Sequence, residues 1–371
     1  MVIPKVRISK KDSYRLFPLL VWLLLTGLVW GAPQKQPDKF RLVHADKLFM
    51  SKTYEEQALE LSGKVHFFYG DTEFRSDRAL ILDAKKIARL YGNVVVSNDS
   101  LILVADTLAY YRIPEIMNAG GRVTATHNNK QGAYRWMKSD YASYDKARDI
   151  LTCWSRVVSY DKQENATATC GYAQWDRKQG YALMLESPFL STGKADTLKV
   201  NAEKMEYFEA EKKLIATFGV QVSSNDYLAN SDFLIYFLEE DKAVFTGEPR
   251  FNSDYATATA NEFHLFLNER KLVRAELIDS CRVDFAAEKG EEQKNRVWAT
   301  LISMDFLDDQ LRNFEAEGLV SYFYQQDAKE KQDFFVNSAT GAYLQAAFDE
   351  SSKLQSMQMR SSIKGKYLFR Q

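Results

Sequence analysis

Cysteine, proline, histidine and net charge are all scarce in this sequence, and each scarcity excludes something. Three cysteines in 371 residues cannot build a disulfide framework. The four histidines (His44, His66, His127 and His264) lie far apart and no second ligand cluster accompanies the cysteines, so no metal site is expected. Seven prolines and 17 glycines exclude a collagen-like or low-complexity chain. There is no glycine-rich loop ending in Lys-Ser/Thr, no Gly-x-Ser-x-Gly, no His-Glu-x-x-His and no Cys-x-x-Cys. Neither enzymatic chemistry nor a cofactor is therefore expected. The net charge of −1 divides unevenly: residues 1–31 carry Lys5, Arg7, Lys10, Lys11 and Arg15 against Asp12, which leaves the remainder mildly acidic. Such a body has no electrostatic attraction for nucleic acid, and none is expected as a partner.

Long apolar runs are also lacking, with one exception. Residues 16–30, LFPLLVWLLLTGLVW, follow the basic stretch. A spanning helix needs roughly 20 residues, whereas this run has the length of a signal-peptide hydrophobic region. Val29 and Gly31 would stand at minus three and minus one of a cleavage after Gly31. Residues 1–31 therefore read as a signal peptide or an amino-terminal membrane anchor, with 32–42 as a short linker. Either way the rest of the chain is exported, and contact with a membrane is expected only through this segment.

What the sequence has in abundance is repetition. A small residue, usually followed by an acid or another polar residue, opens a short run with large apolar side chains three and five positions later. The small residues are Ala45, Ser76, Ala105, Ser139, Cys170, Ala202, Ser231, Ala260, Ala299 and Ser338. The third positions hold Leu48, Ala79, Leu108, Ala142, Ala173, Met205, Leu234, Phe263, Ile302 and, as the exception, Gly341. The fifth positions hold Met50, Ile81, Tyr110, Tyr144, Trp175, Tyr207, Tyr236, Leu265, Met304 and Tyr343. A period of about 30 residues marks a stacked, quasi-one-dimensional architecture.

Inside each unit the period is two, the pattern of a strand with one buried face. A second strand follows, often opening on Gly and alternating through Val, as in Gly63-Lys-Val65, Gly92-Asn-Val94, Gly121-Arg-Val123 and Gly318-Leu-Val320. Ser155-Arg-Val157 and Gly247-Glu-Pro249 are variants, Gly219-Val220 is shifted by one, and the fifth and tenth units have no clean match. Glycine recurring at one phase of a strand predicts a sharp bend, so each strand should fold over a corner from one sheet to another. Charged clusters such as Asp83-Ala-Lys-Lys86 and Glu239-Glu-Asp-Lys242 read as solvated hairpin turns. The recurring acids Asp46, Asp77, Asp106, Asp140 and Asp232 read as structural, bonded to neighbouring backbone, because an active site would be one constellation rather than a periodic one. Cys153, Cys170 and Cys281 read as small buried residues, with a Cys153–Cys170 disulfide between neighbouring strands as the alternative.

The run Ala105-Asp-Thr-Leu108-Ala-Tyr110 followed by Gly121-Arg-Val123 resembles the repeat of the OstA/LptA-like proteins of lipopolysaccharide transport. Ser76-Asp-Arg-Ala79 with Gly92-Asn-Val94, and Ala202-Glu-Lys-Met205-Glu-Tyr207, resemble it too. The resemblance implies an all-β fold, an elongated antiparallel β-jellyroll in the form of an open V-shaped rod. About ten two-strand repeats would fill residues 43–371, with 43–325 the best-matching part and 326–371 looser. It further implies an apolar groove for lipid acyl chains, hence lipopolysaccharide or a similar lipid as ligand, a periplasmic location, and other jellyroll proteins as partners through end-to-end strand addition. The groove lining would be the fifth-position stripe, Met50, Ile81, Tyr110, Tyr144, Trp175, Tyr207, Tyr236, Leu265, Met304 and Tyr343, with Leu48, Leu108, Met205, Leu234 and Phe263 beneath it. At roughly 25 cal/mol per Å² of buried apolar area, one medium-length acyl chain is worth several kcal/mol there. The alternative is a structural or interaction solenoid whose core is closed on its own side chains.

Overall fold

The computed structural model describes residues 40–370 apart from 55, 100, 128–134, 163–164, 194–197, 225–226, 255, 269–270, 287–291, 309, 327–333 and 351–353. The expected signal peptide or anchor at 1–31, and most of the linker at 32–42, lie outside the described residues. The last linker residues do not behave as linker: a strand begins at Phe40 and runs to His44.

The described residues hold 26 strands in one antiparallel sheet and no helix. Six passes of the chain are each split into two short strands at a corner, as Phe40–His44 with Lys47–Lys52 and Leu354–Arg360 with Lys364–Arg370. The others cross the corner unbroken, as Gln57–Tyr69 does with a register shift between Ser62 and Val65. Every pass thus contributes to two arms that meet along the line of corners, the arrangement of an antiparallel jellyroll. The strands continue through Phe334–Phe348 to Lys364–Arg370, so the looser repeats at the carboxy-terminal end belong to the same ladder.

The corners share one backbone device. Two consecutive residues adopt left-handed φ at Gly63–Lys64, Gly92–Asn93, Gly121–Arg122, Ser155–Arg156, Glu186–Ser187, Phe218–Gly219, Gly247–Glu248, Asp279–Ser280, Gly318–Leu319 and Ser361–Ser362. Glycine enters this region without steric cost, which is why it recurs there. It stands second in Phe218–Gly219, and this explains the displaced Gly219-Val220 match. Ser155–Arg156, Glu186–Ser187, Asp279–Ser280 and Ser361–Ser362 make the same corner without glycine, and the second and last of these belong to the fifth and tenth units.

The recurring acids serve these corners. A Cβ on Gly63, Gly92, Gly121 or Gly247 would collide with the side chain of Asp46, Asp77, Asp106 or Asp232 respectively. The Asp46 and Asp232 N–H groups donate to the Gly63 and Gly247 carbonyls at 3.0 and 3.1 Å. Asp106 accepts from Arg122 Nε at 3.0 Å, and Asp140 accepts from Arg156 Nε at 2.9 Å and Ser155 Oγ at 2.6 Å. Three of the small residues add a second tie. Ser76, Ser139 and Ser231 are buried, and each hydroxyl donates to the carbonyl two residues on.

Because antiparallel neighbours stand directly opposite, the third- and fifth-position residues form continuous rows across the sheet. The fifth-position row runs Met50, Ile81, Tyr110, Tyr144, Trp175, Tyr207, Tyr236, Leu265 and Met304, with one residue of each returning strand between successive members. The third-position row runs parallel to it through Leu48, Leu108, Met205, Leu234 and Phe263. Both rows lie on the first arm. The second arm has its own inner row, starting Phe67–Phe74–Val96–Leu103–Ala125–Met137–Ser159–Ala168 and later including Leu190, Val200, Val222, Phe251, Val283, Val297 and Tyr322.

Candidate functional site

What lies between the two arms changes along the sheet. In the first units the inner rows meet. Phe74 of the second arm stacks on Tyr110 of the first at 5.2 Å, and Phe67 stacks on Phe74 at 5.0 Å. Tyr69 and Phe40 complete the cluster, with Tyr69 5.9 Å from Tyr110 and Phe40 5.4 Å from Phe67. The Arg112 guanidinium caps it, 5.1 Å above the Tyr69 ring, and Arg112 in turn reaches Asp83 Oδ1 at 3.3 Å. Further along, the second arm's inner row intersperses the small residues Ala125, Ser159, Ala168, Ala229 and Ala258 among larger ones such as Met137, Leu190 and Phe251, and space opens between the arms.

The space so left is a cavity of about 2480 Å³. Trp175, Tyr207, Tyr236, Leu265, Met304 and Phe314 line it from the first arm, with Leu234 and Phe263 at its floor. Leu190, Val200, Val222, Phe251, Val283, Val297 and Tyr322 line it from the second. Charged side chains appear at the hairpin-turn rim and pair there: Arg135 with Asp161 at 2.6 Å and with Glu209 at 3.8 Å. The Tyr236 hydroxyl donates to Asp241 in the turn while its ring faces the cavity. The wall is apolar, the polar groups sit at the margin, and no cluster of His, Cys, Asp or Glu among the described residues is disposed to hold a metal ion.

The sequence-derived lining therefore divides into three. Trp175, Tyr207, Tyr236, Leu265, Met304, Leu234 and Phe263 reach the cavity. Ile81, Tyr110, Tyr144, Leu108 and Met205 do not line it; they are buried in packed core, Tyr110 being 1% exposed. Burial pushes the Tyr144 hydroxyl up to about 12, helped by its hydrogen bond to Asp149. Leu48 and Met50 stand on an outermost strand, 53% and 56% exposed, with row neighbours on one side only. Tyr110 departs from the expected lining because Phe74 and Tyr69 of the opposite arm pack on it, and Leu48 and Met50 because they stand at the sheet edge.

Tyr343 is a different correction. It faces away from the core, with the Arg360 guanidinium 5.5 Å from its ring and a hydrogen bond to Glu315. Leu344 pairs with Ala316 and Ala346 with Phe314, which continue the third- and fifth-position rows, and Leu344 and Ala346 line the cavity. The small residue of the last unit is thus Gly341, not Ser338. Counting from Ser338 put the whole unit three residues out of phase.

The second-arm lining was missed, though its signal is present. The alternation of apolar residues that follows most corners, as in Val94 and Val96 or Val220 and Val222, places alternate side chains on the inner face. The cysteines are free thiols: all three are buried, and Cys281 lies 3.0 Å from the Leu277 carbonyl.

The described residues thus form an antiparallel jellyroll with bent strands and a largely apolar cavity between its two arms. The chain belongs to the family described as LptA/(LptD N-terminal domain) LPS transport protein, which matches residues 73–271. Among solved structures it is similar to LptH, the LptA homologous periplasmic component of the conserved lipopolysaccharide transport device from Pseudomonas aeruginosa. That similarity is 13% identity over 28% of this chain and 75% of LptH, with a TM-score of 0.26. No curated protein matches the chain.

Proposed function

We propose that this protein is a non-enzymatic periplasmic carrier that holds the acyl chains of lipopolysaccharide, or a similar lipid, between its two arms on the way from the inner to the outer membrane. The observation that carries this reading is the 2480 Å³ cavity with apolar walls on both arms and charges confined to its rim. An amphiphile has the matching division, with tails for the walls and a polar head for the margin. Family membership supports lipopolysaccharide as that lipid.

The sheet ends support the partner side of the reading. Val43, Leu48, Phe49 and Met50 are exposed at one end, and Leu354, Met357, Tyr367 and Leu368 at the other. Outermost strands with unpaired backbone groups and bare apolar side chains fit strand addition to other jellyroll proteins, which would lengthen the inner rows across the junction.

The test is a photoreactive phenylalanine analogue placed singly at Tyr207, Tyr236 or Glu206 in cells making labelled lipopolysaccharide. Glu206 alternates with Met205 and Tyr207 and bonds the Tyr181 hydroxyl at 2.7 Å instead of lining the cavity. Crosslinks to lipid from Tyr207 and Tyr236 but not from Glu206 are expected. Equal yields from all three positions, or none from any, would rule the reading out.

A further inference from the structure

The cavity does not run the length of the sheet, and this asymmetry has a physical cause. Phe40, Phe67, Tyr69, Phe74 and Tyr110 fill the gap between the arms, each ring within 6.2 Å of another. Phe67, Phe74, Tyr69 and Tyr110 are essentially fully buried, and Ala88, Leu90 and Val94 around them are 0% exposed. At the opposite end, among the described residues, the ring contacts of Phe335 with Tyr324 and Tyr367 stay within one arm and none joins the two arms. Leu354 and Met357 line the cavity while standing on the outermost strand of their arm, and both remain exposed. The space between the arms is shut at the amino-terminal end and reaches the sheet edge at the carboxy-terminal end.

We propose that the five-ring cluster is an aromatic stop, so that acyl-bearing ligand enters and leaves this protein only on the carboxy-terminal side of it. The inference rests on the lipid-carrier reading above and adds a direction to it. A partner docked on the Leu354–Arg370 end exchanges lipid with this chain. A partner docked on the Phe40–Lys52 end is bound but exchanges none. Phe74 is the central positioning residue, because it alone stacks on both Phe67 of its own arm and Tyr110 of the other.

The test uses the intact protein and a palmitic acid analogue with a diazirine at the end of its acyl chain. This probe is small enough to enter any open section, so its absence from a section reports closure, not ligand size. After irradiation the labelled peptides are mapped by mass spectrometry. Label is expected on peptides holding Tyr207, Tyr236, Phe263 and Leu344, and none on those holding Ile81, Leu90 or Tyr110. Equal label at Leu90 and Tyr236 would overturn the stop while leaving the carrier reading intact. Label nowhere would overturn the carrier reading, and the stop with it. In Phe74→Ala, checked for an unchanged circular-dichroism spectrum, label is expected to spread to the Ile81 and Tyr110 peptides. A folded Phe74→Ala protein that still excludes the probe there would overturn the role given to Phe74. Should that variant not fold, the wild-type map decides alone.

Discussion

At Gly92 the backbone stands at φ +72°, and a Cβ would run into Asp77, 2.4 to 3.1 Å from its atoms at the ideal position. Left-handed backbone costs an L-residue roughly 1–2 kcal/mol before any collision. Gly92→Ala is therefore expected to lower stability by about 2 kcal/mol, read from the urea midpoint. The converse holds at Asp279, which adopts φ +59° with a side chain. Asp279→Gly is expected to raise the midpoint, with a gain of about 1 kcal/mol. A fall in the midpoint would show that the Asp279 side chain does more than tolerate its conformation.

Two titrating groups give further tests at this scale. The Arg156 guanidinium and then the Ser155 hydroxyl hold the Asp140 carboxyl down to about 2. Its folded value lies below the ordinary one of about 3.9, so the pairing stabilises fully above about pH 4 and is lost as pH falls towards 2. Asp140→Asn is expected to flatten the stability profile in that window and leave the profile near neutrality parallel to wild type. The group is solvent-facing, so the effect should shrink in high salt. The cysteines shift the other way. Burial pushes Cys153 up to about 12, and Cys170 and Cys281 up to about 11. The reactive species is the thiolate, so iodoacetamide at pH 8 is expected to label none of the three until the chain is unfolded.

At the scale of the strand pass, most of the pattern was legible because it rests on period and size. Alternation marked the inward face of the first-arm strands except in the last unit, and glycine marked six of the ten corners. Glu186–Ser187 and Ser361–Ser362 were not legible, since nothing about Glu or Ser announces a left-handed backbone; tertiary constraint imposes it. The last unit was misread because Ser338 imitates the small residue while Gly341 performs it. Nor does one strand reveal where the cavity begins, because that depends on pairing Tyr110 with Phe74 in one section and Tyr236 with open space in another. This difference is itself testable. Leu90, 0% exposed and surrounded in the closed section, should lose about 2–5 kcal/mol as Leu90→Ala. Tyr236→Ala should lose less, since part of its ring faces the cavity. Hydrogen exchange of the strands on either side reads each loss locally, which suits an array whose units need not unfold together.

For the whole sheet, the two ends are chemically unlike. One presents Leu48, Phe49 and Met50 beside a filled interior, the other presents Leu354 and Met357 beside an open one. A charge on an outermost strand opposes edge pairing. Phe49→Lys is therefore expected to weaken any end-to-end association seen by light scattering, without altering lipid crosslinking at Tyr236. Loss of both together would place the cavity and that edge in a single cooperative unit.

The ring cluster also bears on how the chain assembles. It is the section in which both arms are complete on their own side chains, and it is built from early strands, Phe40–His44 through Leu101–Tyr111. A stacked array can nucleate wherever a few neighbouring units are stable and then grow by addition. Here the seed would emerge first during synthesis, and each later hairpin would add to an existing template rather than wait for a distant strand. Fragments cut back from the carboxy-terminal side to about residue 161 should accordingly keep strand-type circular dichroism, whereas fragments of similar length lacking the ring cluster should not.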